Sequence, residues 1–400
     1  MENNMIQKLN MAMPLATDGL RQKIADISLE NISNIAKEAF GKSDILPLWF
    51  GEGDVSTPKF IAEAAKKAID DGHYFYSHQN GIPEFRETMA KYLSGLGKNK
   101  ITSDRITLTS GGMPAIMLAI FMTVNDGDNI IVIDPVWPNI GGITRIAGGE
   151  VRSVRMDLTD KGWELDMNKV AAACNGRTKA IFFASPGNPT GAMLPVEKQK
   201  EILEFCRPRG IWIISDEVYS RMVFSHKPAP SFLDISEPED RVLIINSFSK
   251  SWAMTGWRLG WLTHPPSLGP TLAMMTQYTT SGTATFLHHT AIAAIREGEP
   301  FVKEMTDYCR QGMEIVCDAL EEMPRVRLVR RPEAAMYAFF EIDGMKDSKA
   351  AVLEILHKTK VGLAPGYFFG EGSEGFLRLC FCRAPDTLRE AMERLKPSLS

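Results

Sequence analysis

Residues 243–263 read Leu-Ile-Ile-Asn-Ser-Phe-Ser-Lys-Ser-Trp-Ala-Met-Thr-Gly-Trp-Arg-Leu-Gly-Trp-Leu-Thr. Two short apolar runs, 243–246 and 259–263, have the length and bounding of strands. Between them lies one amine, Lys250, among small hydroxyl residues, with Arg258 eight positions later. Lysines are normally solvated surface charges, and an isolated Ser-x-Ser-Lys would be read that way. Here a strand precedes it and the neighbours are small or apolar. An amine held beside a cationic partner has a lowered pKa and attacks carbonyls. The stretch therefore predicts a group that can hold an aldehyde as an imine, with Arg258 clamping a phosphate nearby.

Outward from this segment, strands alternate with helices. Strands are predicted at 106–109, 129–134, 151–156, 180–184 and 211–215, and helices at 113–124 and 195–207. That order predicts an α/β fold whose mostly parallel sheet is covered on both faces and binds ligands at its strand-end loops. Before it, a loose helical pattern over 17–41 stops at Gly41, Pro58 opens a helix, and another spans 83–96. After about residue 266 the pattern changes to long helices at 267–280, 284–297 and 300–322. Strands at 326–330 and 336–342, a helix at 348–358 and a strand at 376–382 then close the chain as a smaller α+β domain. The expected division is an arm at 1–45, a large domain at 46–290 and a small domain at 291–400.

The chain has 400 residues, 44% of them hydrophobic, enough for a large core split into two domains. A net charge of −4 without a basic tail argues against nucleic acid or an acidic membrane surface as a partner. No run of 18 apolar residues is present, and the N-terminus lacks a secretory pattern. Six scattered cysteines, none at zinc-site spacing, fit a reduced compartment, so a cytoplasmic protein without a metal site is expected.

Several other strand ends carry chemistry. Asp216 follows the apolar run 211–215 and opens Asp-Glu-Val-Tyr. A carboxylate there can keep a heterocycle nitrogen protonated, or simply cap the next turn. Tyr219, three residues on, can donate to a phenolate oxygen. In Ser185-Pro186-Gly187-Asn188-Pro189-Thr190-Gly191 two prolines and two glycines fix a sharp loop that presents the Asn188 amide. Gly111 and Gly112 join a strand to a helix and offer free N–H groups to an anion. This is not the dinucleotide fingerprint. Trp137 can stack on a planar ring or be an ordinary buried aromatic. Arg378, inside Phe-Leu-Arg-Leu-Cys-Phe, is costly to bury unless a carboxylate of the protein or of a substrate satisfies it.

Together these stretches resemble the class I/II aminotransferases of fold type I, which depend on pyridoxal 5'-phosphate. The resemblance runs from about residue 46 to 385 and rests on SPGNPTG, DEVY, SFSK…GWRLG and LRLCF in that order, with Gly81-Ile82-Pro83-Glu84-Phe85-Arg86 in addition. It implies a seven-stranded, mostly parallel sheet in the large domain. It implies Lys250 as the Schiff-base lysine and proton shuttle, Asp216 and Tyr219 on the cofactor ring, and Asn188 beside them. Trp137 becomes the stacking ring. Gly111, Gly112, Ser247, Ser249 and Arg258 hold the phosphate end, Met113 is a further cofactor contact, and Tyr76 reaches the neighbouring subunit's phosphate. Gly51, Trp137, Asn188 and Arg378 would meet the substrate, Arg378 at its α-carboxylate. A homodimer with a shared active site follows from the same resemblance.

The sequence departs from the family pattern at two places. Gly53 stands in Gly51-Glu52-Gly53-Asp54 where proline is usual. Met113 stands where one subgroup of aspartate enzymes carries a lysine for the side-chain carboxylate. Met113 points to an apolar or aromatic amino acid, whereas Trp137-Pro138-Asn139 resembles aspartate/aromatic enzymes. The expected reaction moves an amino group from an L-amino acid to a 2-oxo acid. The alternatives are an aspartate aminotransferase, a lyase, racemase or decarboxylase on the same fold, and a ligand-sensing protein of aminotransferase-like shape. The last usually carries a DNA-binding module, and no basic helix-turn-helix stretch is present.

Overall fold

The computed structural model describes residues 16–27, 32–38 and 41–399. Its centre is a seven-stranded sheet: β1 (Ile106–Thr109), β2 (Asn129–Asp134), β3 (Glu150–Arg155), β4 (Thr178–Ala184), β5 (Trp212–Asp216), β6 (Val242–Ser247) and β7 (Gly260–Thr263). The spatial order is β1-β7-β6-β5-β4-β2-β3. Strand β7 runs antiparallel to both β1 and β6, and the other pairs are parallel. The C-terminal ends of the six like-directed strands therefore share one edge.

Strands β2 and β6 are buried along their whole length. Both faces of such a strand must be covered, which is why these runs are continuously apolar instead of alternating. Ile130 and Val132 pack on one face with Ala115, Ile116 and Ala119 of the helix Gly112–Thr123. Ile131 and Ile133 face the other way, against Val170, Ile202 and Leu203. Each such side chain stabilises the layer by roughly 1.5–3 kcal/mol.

A second core joins the large sheet to the helices Lys59–Asp70, Pro83–Leu96 and Thr285–Glu297. The fully buried Trp252 lies in it, 5.0 Å from the Phe248 ring, and its indole N–H donates to the Ala294 carbonyl at 2.9 Å. This aromatic anchor fixes the segment that carries Lys250 from below.

The smaller domain has a four-stranded antiparallel sheet of β8 (Val326–Arg327), β9 (Tyr337–Ile342), β10 (Ala364–Pro365) and β11 (Phe376–Cys380), ordered β8-β9-β11-β10. The helices Glu299–Glu321, Ser348–Thr359 and Pro385–Leu399 pack on it. At Gly312 the long helix comes so close to the Phe381 carbonyl that any side chain there would collide with it.

Several expectations need correction. The chain does not close on the strand at 376–380: the helix Pro385–Leu399 follows, with Leu388, Ala391, Met392, Leu395 and Leu399 on its buried face. The strand predicted at 326–330 is only two residues long. Short helices at Asn139–Ile146 and Met167–Ala173 and a small hairpin over 157–164 were not foreseen. The pattern over 17–41 resolves into short pieces, Ala16–Gly19, Gln22–Ala25 and Ile32–Lys37, while 28–31 and 39–40 lie outside the described residues. Among the described residues no helix is long and apolar enough to cross a membrane, no cluster of side chains could hold a metal ion, and the six cysteines are free.

Candidate active site

A cavity of about 370 Å³ opens at the edge where the parallel strands end. Its wall includes Gly51, Gly112, Met113, Trp137, Asn188, Asp216, Tyr219, Ser247, Ser249, Lys250 and Arg258. These residues come from seven separate places in the sequence, and five of the strand ends supply all of them but Gly51 and Arg258. Strand β6 ends at Ser247 and β5 at Asp216, so Ser249, Lys250 and Asp216 follow directly from strand termination. Asn188 hangs from the loop after β4, and Trp137 from the loop after β2.

Lys250 Nζ donates to the Gly51 carbonyl. Burial lowers the pKa of its amine, with Arg378 adding to that while Cys380 and Glu52 oppose it. Asp216 is half-buried because it borders the cavity, yet protein surrounds it on its other sides. Burial pushes its carboxyl up to about 6, against a hydrogen bond from the Val218 N–H at 3.2 Å and the nearby Lys250. The amine and the carboxyl thus both move toward their neutral forms, as a low-dielectric wall requires.

At one end of the cavity, Gly111 has φ +113°, and a side chain there would sit 2.7 Å from Arg258 Nη2. The Gly111 turn and the guanidinium thus enclose a small polar corner at the N-terminus of the helix Gly112–Thr123. Ser247 Oγ lies 2.8 Å from Ser249 Oγ and accepts from the Ser249 N–H at 3.0 Å. Backbone N–H groups, a guanidinium and two hydroxyls are the donor set that a phosphate needs. Arg258 itself is held in the left-handed region at φ +54°, with Nη1 donating to the Thr255 carbonyl at 2.7 Å.

At the other end, Arg378 is fully buried in β11. Nη1 donates to Asn188 Oδ1 at 2.9 Å, and Nη2 donates to the Trp49 carbonyl. Its Cζ lies 4.4 Å from the Tyr337 ring centre, 4.8 Å from Phe369 and 5.9 Å from Trp137. Among the described residues no carboxylate pairs with it, and Nε has no partner. A buried guanidinium satisfied only by a carbonyl, an amide and aromatic faces keeps donor capacity for an incoming anion.

The placements differ among the residues singled out from sequence. Gly111 and Arg378 stand just behind the cavity wall and do not line it. Tyr76 is 94% exposed and belongs to the outer surface of this chain. Tyr337, Phe50, Glu52, Ile116, Asn139, Ala184, Val218 and Thr255, none of them singled out from the sequence, complete the wall. Glu52 could have been noticed from its place beside Gly51; Thr255 Oγ1 donates to its carboxylate. Tyr337 carries no local signal, because it reads as one more apolar strand position.

A cavity at the strand-end edge of such a sheet, with a half-buried amine, a half-buried carboxyl and an anion corner, defines a fold type I pyridoxal-phosphate enzyme. Residues 44–395 match the model of the aminotransferase class I and II family, and the chain belongs to that family. An aspartate aminotransferase of Pyrococcus horikoshii is 32% identical over 387 residues, covering 95% of this chain and 97% of that protein. The aromatic-amino-acid aminotransferase 2 of Thermococcus litoralis is 29% identical, covering 95% and 98% respectively. The crystal structure of an aspartate aminotransferase from Thermotoga maritima superposes with a TM-score of 0.88 at 31% identity, covering 95% of this chain and all of that one. Family and fold support aminotransferase activity and imply pyridoxal phosphate as the cofactor. The relatives' substrates differ among themselves.

Proposed function

We propose that this protein transfers the amino group of an L-amino acid with an apolar or aromatic side chain to a 2-oxo acid. The observation that carries the reading is the convergence of Lys250, Asp216, Tyr219, Asn188 and the Ser247–Ser249–Arg258 corner on one cavity. When bound, pyridoxal phosphate supplies an aldehyde carbon for an amine and a ring that takes up an electron pair from the substrate α-carbon. Lys250, its amine biased toward the neutral form, is placed to hold the aldehyde and then to move the proton at the α-carbon. Asp216 holds a proton at the ring nitrogen. Tyr219 and Asn188 orient the ring oxygen, and Trp137 fixes the ring plane. Gly111, Gly112, Ser247, Ser249 and Arg258 bind the phosphate end, and Met113 borders the cofactor. Arg378, with its free Nε, takes the substrate α-carboxylate beside Gly51.

The side-chain preference rests on the wall itself. Phe50, Met113, Ile116, Trp137 and Tyr337 are apolar or aromatic, and among the described residues Lys250 and Arg258 are the cations that line it. Both cations already have roles in the reading, so neither remains for a distal carboxylate. The Asn139 amide contacts Met113 Sδ at 3.8 Å and caps this side. Half-reactions followed through the cofactor's absorption test the preference. Phenylalanine, tyrosine or methionine should convert faster than aspartate. Exclusive conversion of aspartate would replace this reading with aspartate transamination, and elimination or decarboxylation products would replace it with a lyase.

The same proposal includes a homodimer in which Tyr76 reaches the partner's phosphate corner, which explains an exposed tyrosine that does not line its own cavity. It also includes the division into an arm at 1–45, a large domain at 46–290 and a small domain at 291–400.

A further inference from the structure

The Tyr337 ring is part of the apolar wall, but its hydroxyl has no role in the reading above, and the residue touches three parts of the site. Its hydroxyl lies 2.6 Å from the Tyr219 hydroxyl, and its ring lies under the Arg378 guanidinium at 4.4 Å. The same hydroxyl occupies the space that a Gly51 side chain would need, above the residue whose carbonyl accepts from Lys250. Both tyrosines are nearly sealed, at 1% and 2% exposure. Among the described residues, the Tyr337 hydroxyl bonds only to Tyr219.

Only one hydrogen can lie between two hydroxyls, and either oxygen can be its donor. If Tyr219 donates into the cavity, its hydrogen is not available to Tyr337. The hydrogen between them must then come from Tyr337. We propose that Tyr337 is a positioning residue that donates its hydroxyl hydrogen to Tyr219 and thereby commits Tyr219 to donate toward the cofactor's ring oxygen. This rests on the reading of Tyr219 given above. A phenol that accepts a hydrogen bond is itself a stronger donor, because the accepted bond stabilises negative charge on its oxygen. The other charged or titratable groups facing the pair are Arg378 on β11, Cys380 and Cys382, and Lys250 lines the same cavity. Burial raises the Cys380 thiol to about 11, and the Arg378 guanidinium lies 4.4 Å from the Tyr337 ring centre.

A strong donor at the ring oxygen favours its unprotonated, anionic form. Removing the Tyr337 hydroxyl therefore raises the pH at which the visible band of the cofactor-loaded protein titrates. The experiment is a spectroscopic pH titration of Tyr337→Phe, with a thermal melt as a check on folding. The midpoint is expected to rise by roughly half to one pH unit, the size of one lost hydrogen bond. In a Tyr219→Phe background the same substitution should add nothing, because Tyr337 acts through Tyr219. Replacing Tyr337 with a ring-fluorinated tyrosine, a stronger donor of nearly the same shape, should lower the midpoint, which loss of packing does not do. An unshifted midpoint in Tyr337→Phe, or a shift that survives in the Tyr219→Phe background, overturns the assignment. Absence of any visible band in the wild-type protein would instead overturn the cofactor reading on which it rests.

Discussion

Lys250 and Asp216 sit against the same wall, and burial drives them in opposite directions, the amine down and the carboxyl up to about 6. That has a consequence for the protein prepared without cofactor. A carboxyl whose folded pKa exceeds its unfolded value contributes stability below the unfolded pKa, and that stability is lost as pH rises through the folded value. The Asp216 contribution should therefore disappear between about pH 4 and 6. Cofactor-free Asp216→Asn should unfold at a higher urea concentration than the wild type at pH 8, by roughly 1 kcal/mol after allowing for solvent that reaches the carboxyl through the cavity, and without that advantage at pH 4. The same variant should lose at least about 100-fold in turnover, because the ring nitrogen loses its proton-holding partner. Urea melts at the two pH values and steady-state rates check both halves.

At the scale of elements, the loop 51–54 and the β9–β11 pair are fitted to each other. A side chain at Gly53 would lie 2.6 Å from Cys382 Sγ and 3.2 Å from the Cys382 carbonyl. The departure from proline seen in the sequence thus has a physical cause: the thiol fills the space a larger residue would take. Gly53→Ala should cost about 1–3 kcal/mol, and adding Cys382→Gly should recover part of it, measured by denaturant midpoints. Gly51→Ala should behave in the same way toward the Tyr337 hydroxyl, with partial recovery in Tyr337→Phe.

Legibility from sequence follows the same logic of scale. Strands β1 and β2 and the helix at 83–96 could be read to the residue because apolar runs, proline and glycine mark their ends locally. The helix Pro385–Leu399 carried an equally clear 3–4 spacing but was overshadowed by the apolar strand before it. The strand-end site residues were legible because their motifs are contiguous in sequence. Tyr337 was not, since its meaning lies in a contact with a residue 118 positions away. The position of Arg378 behind Asn188 was hidden for the same reason.

For the whole molecule, Tyr74, Phe75, Tyr76, Met274 and Tyr278 are all more than half exposed. Their two segments are tied together by the Gln79–Gln277 side-chain bond at 2.6 Å. Such a patch on one face fits the proposed homodimer. Sedimentation should give twice the monomer mass, and Phe75→Asp with Tyr278→Asp should shift the protein to monomer and weaken cofactor retention. The acid limit of the fold is set elsewhere. His264 and His288 are buried, and burial lowers both to about 4. His288 Nε2 donates to the Thr283 carbonyl while Nδ1 accepts from the Ile82 N–H, so a second proton breaks an existing bond. A depressed histidine contributes stability above its unfolded pKa, near 6.5, that is lost as pH falls through about 4. A His264→Gln, His288→Gln variant should therefore lose less stability than the wild type between pH 7 and 4.5.

Whether Lys250 carries the cofactor can be read directly by chemical trapping. The protein is loaded with pyridoxal phosphate, treated with borohydride to fix any imine, digested and weighed peptide by peptide. The peptide containing Lys250 should gain the mass of the reduced cofactor, and Lys250→Ala should show neither this adduct nor the visible band while keeping its fold. An adduct confined to another lysine, or a Lys250→Ala protein that keeps the band and its turnover, would contradict that role of Lys250.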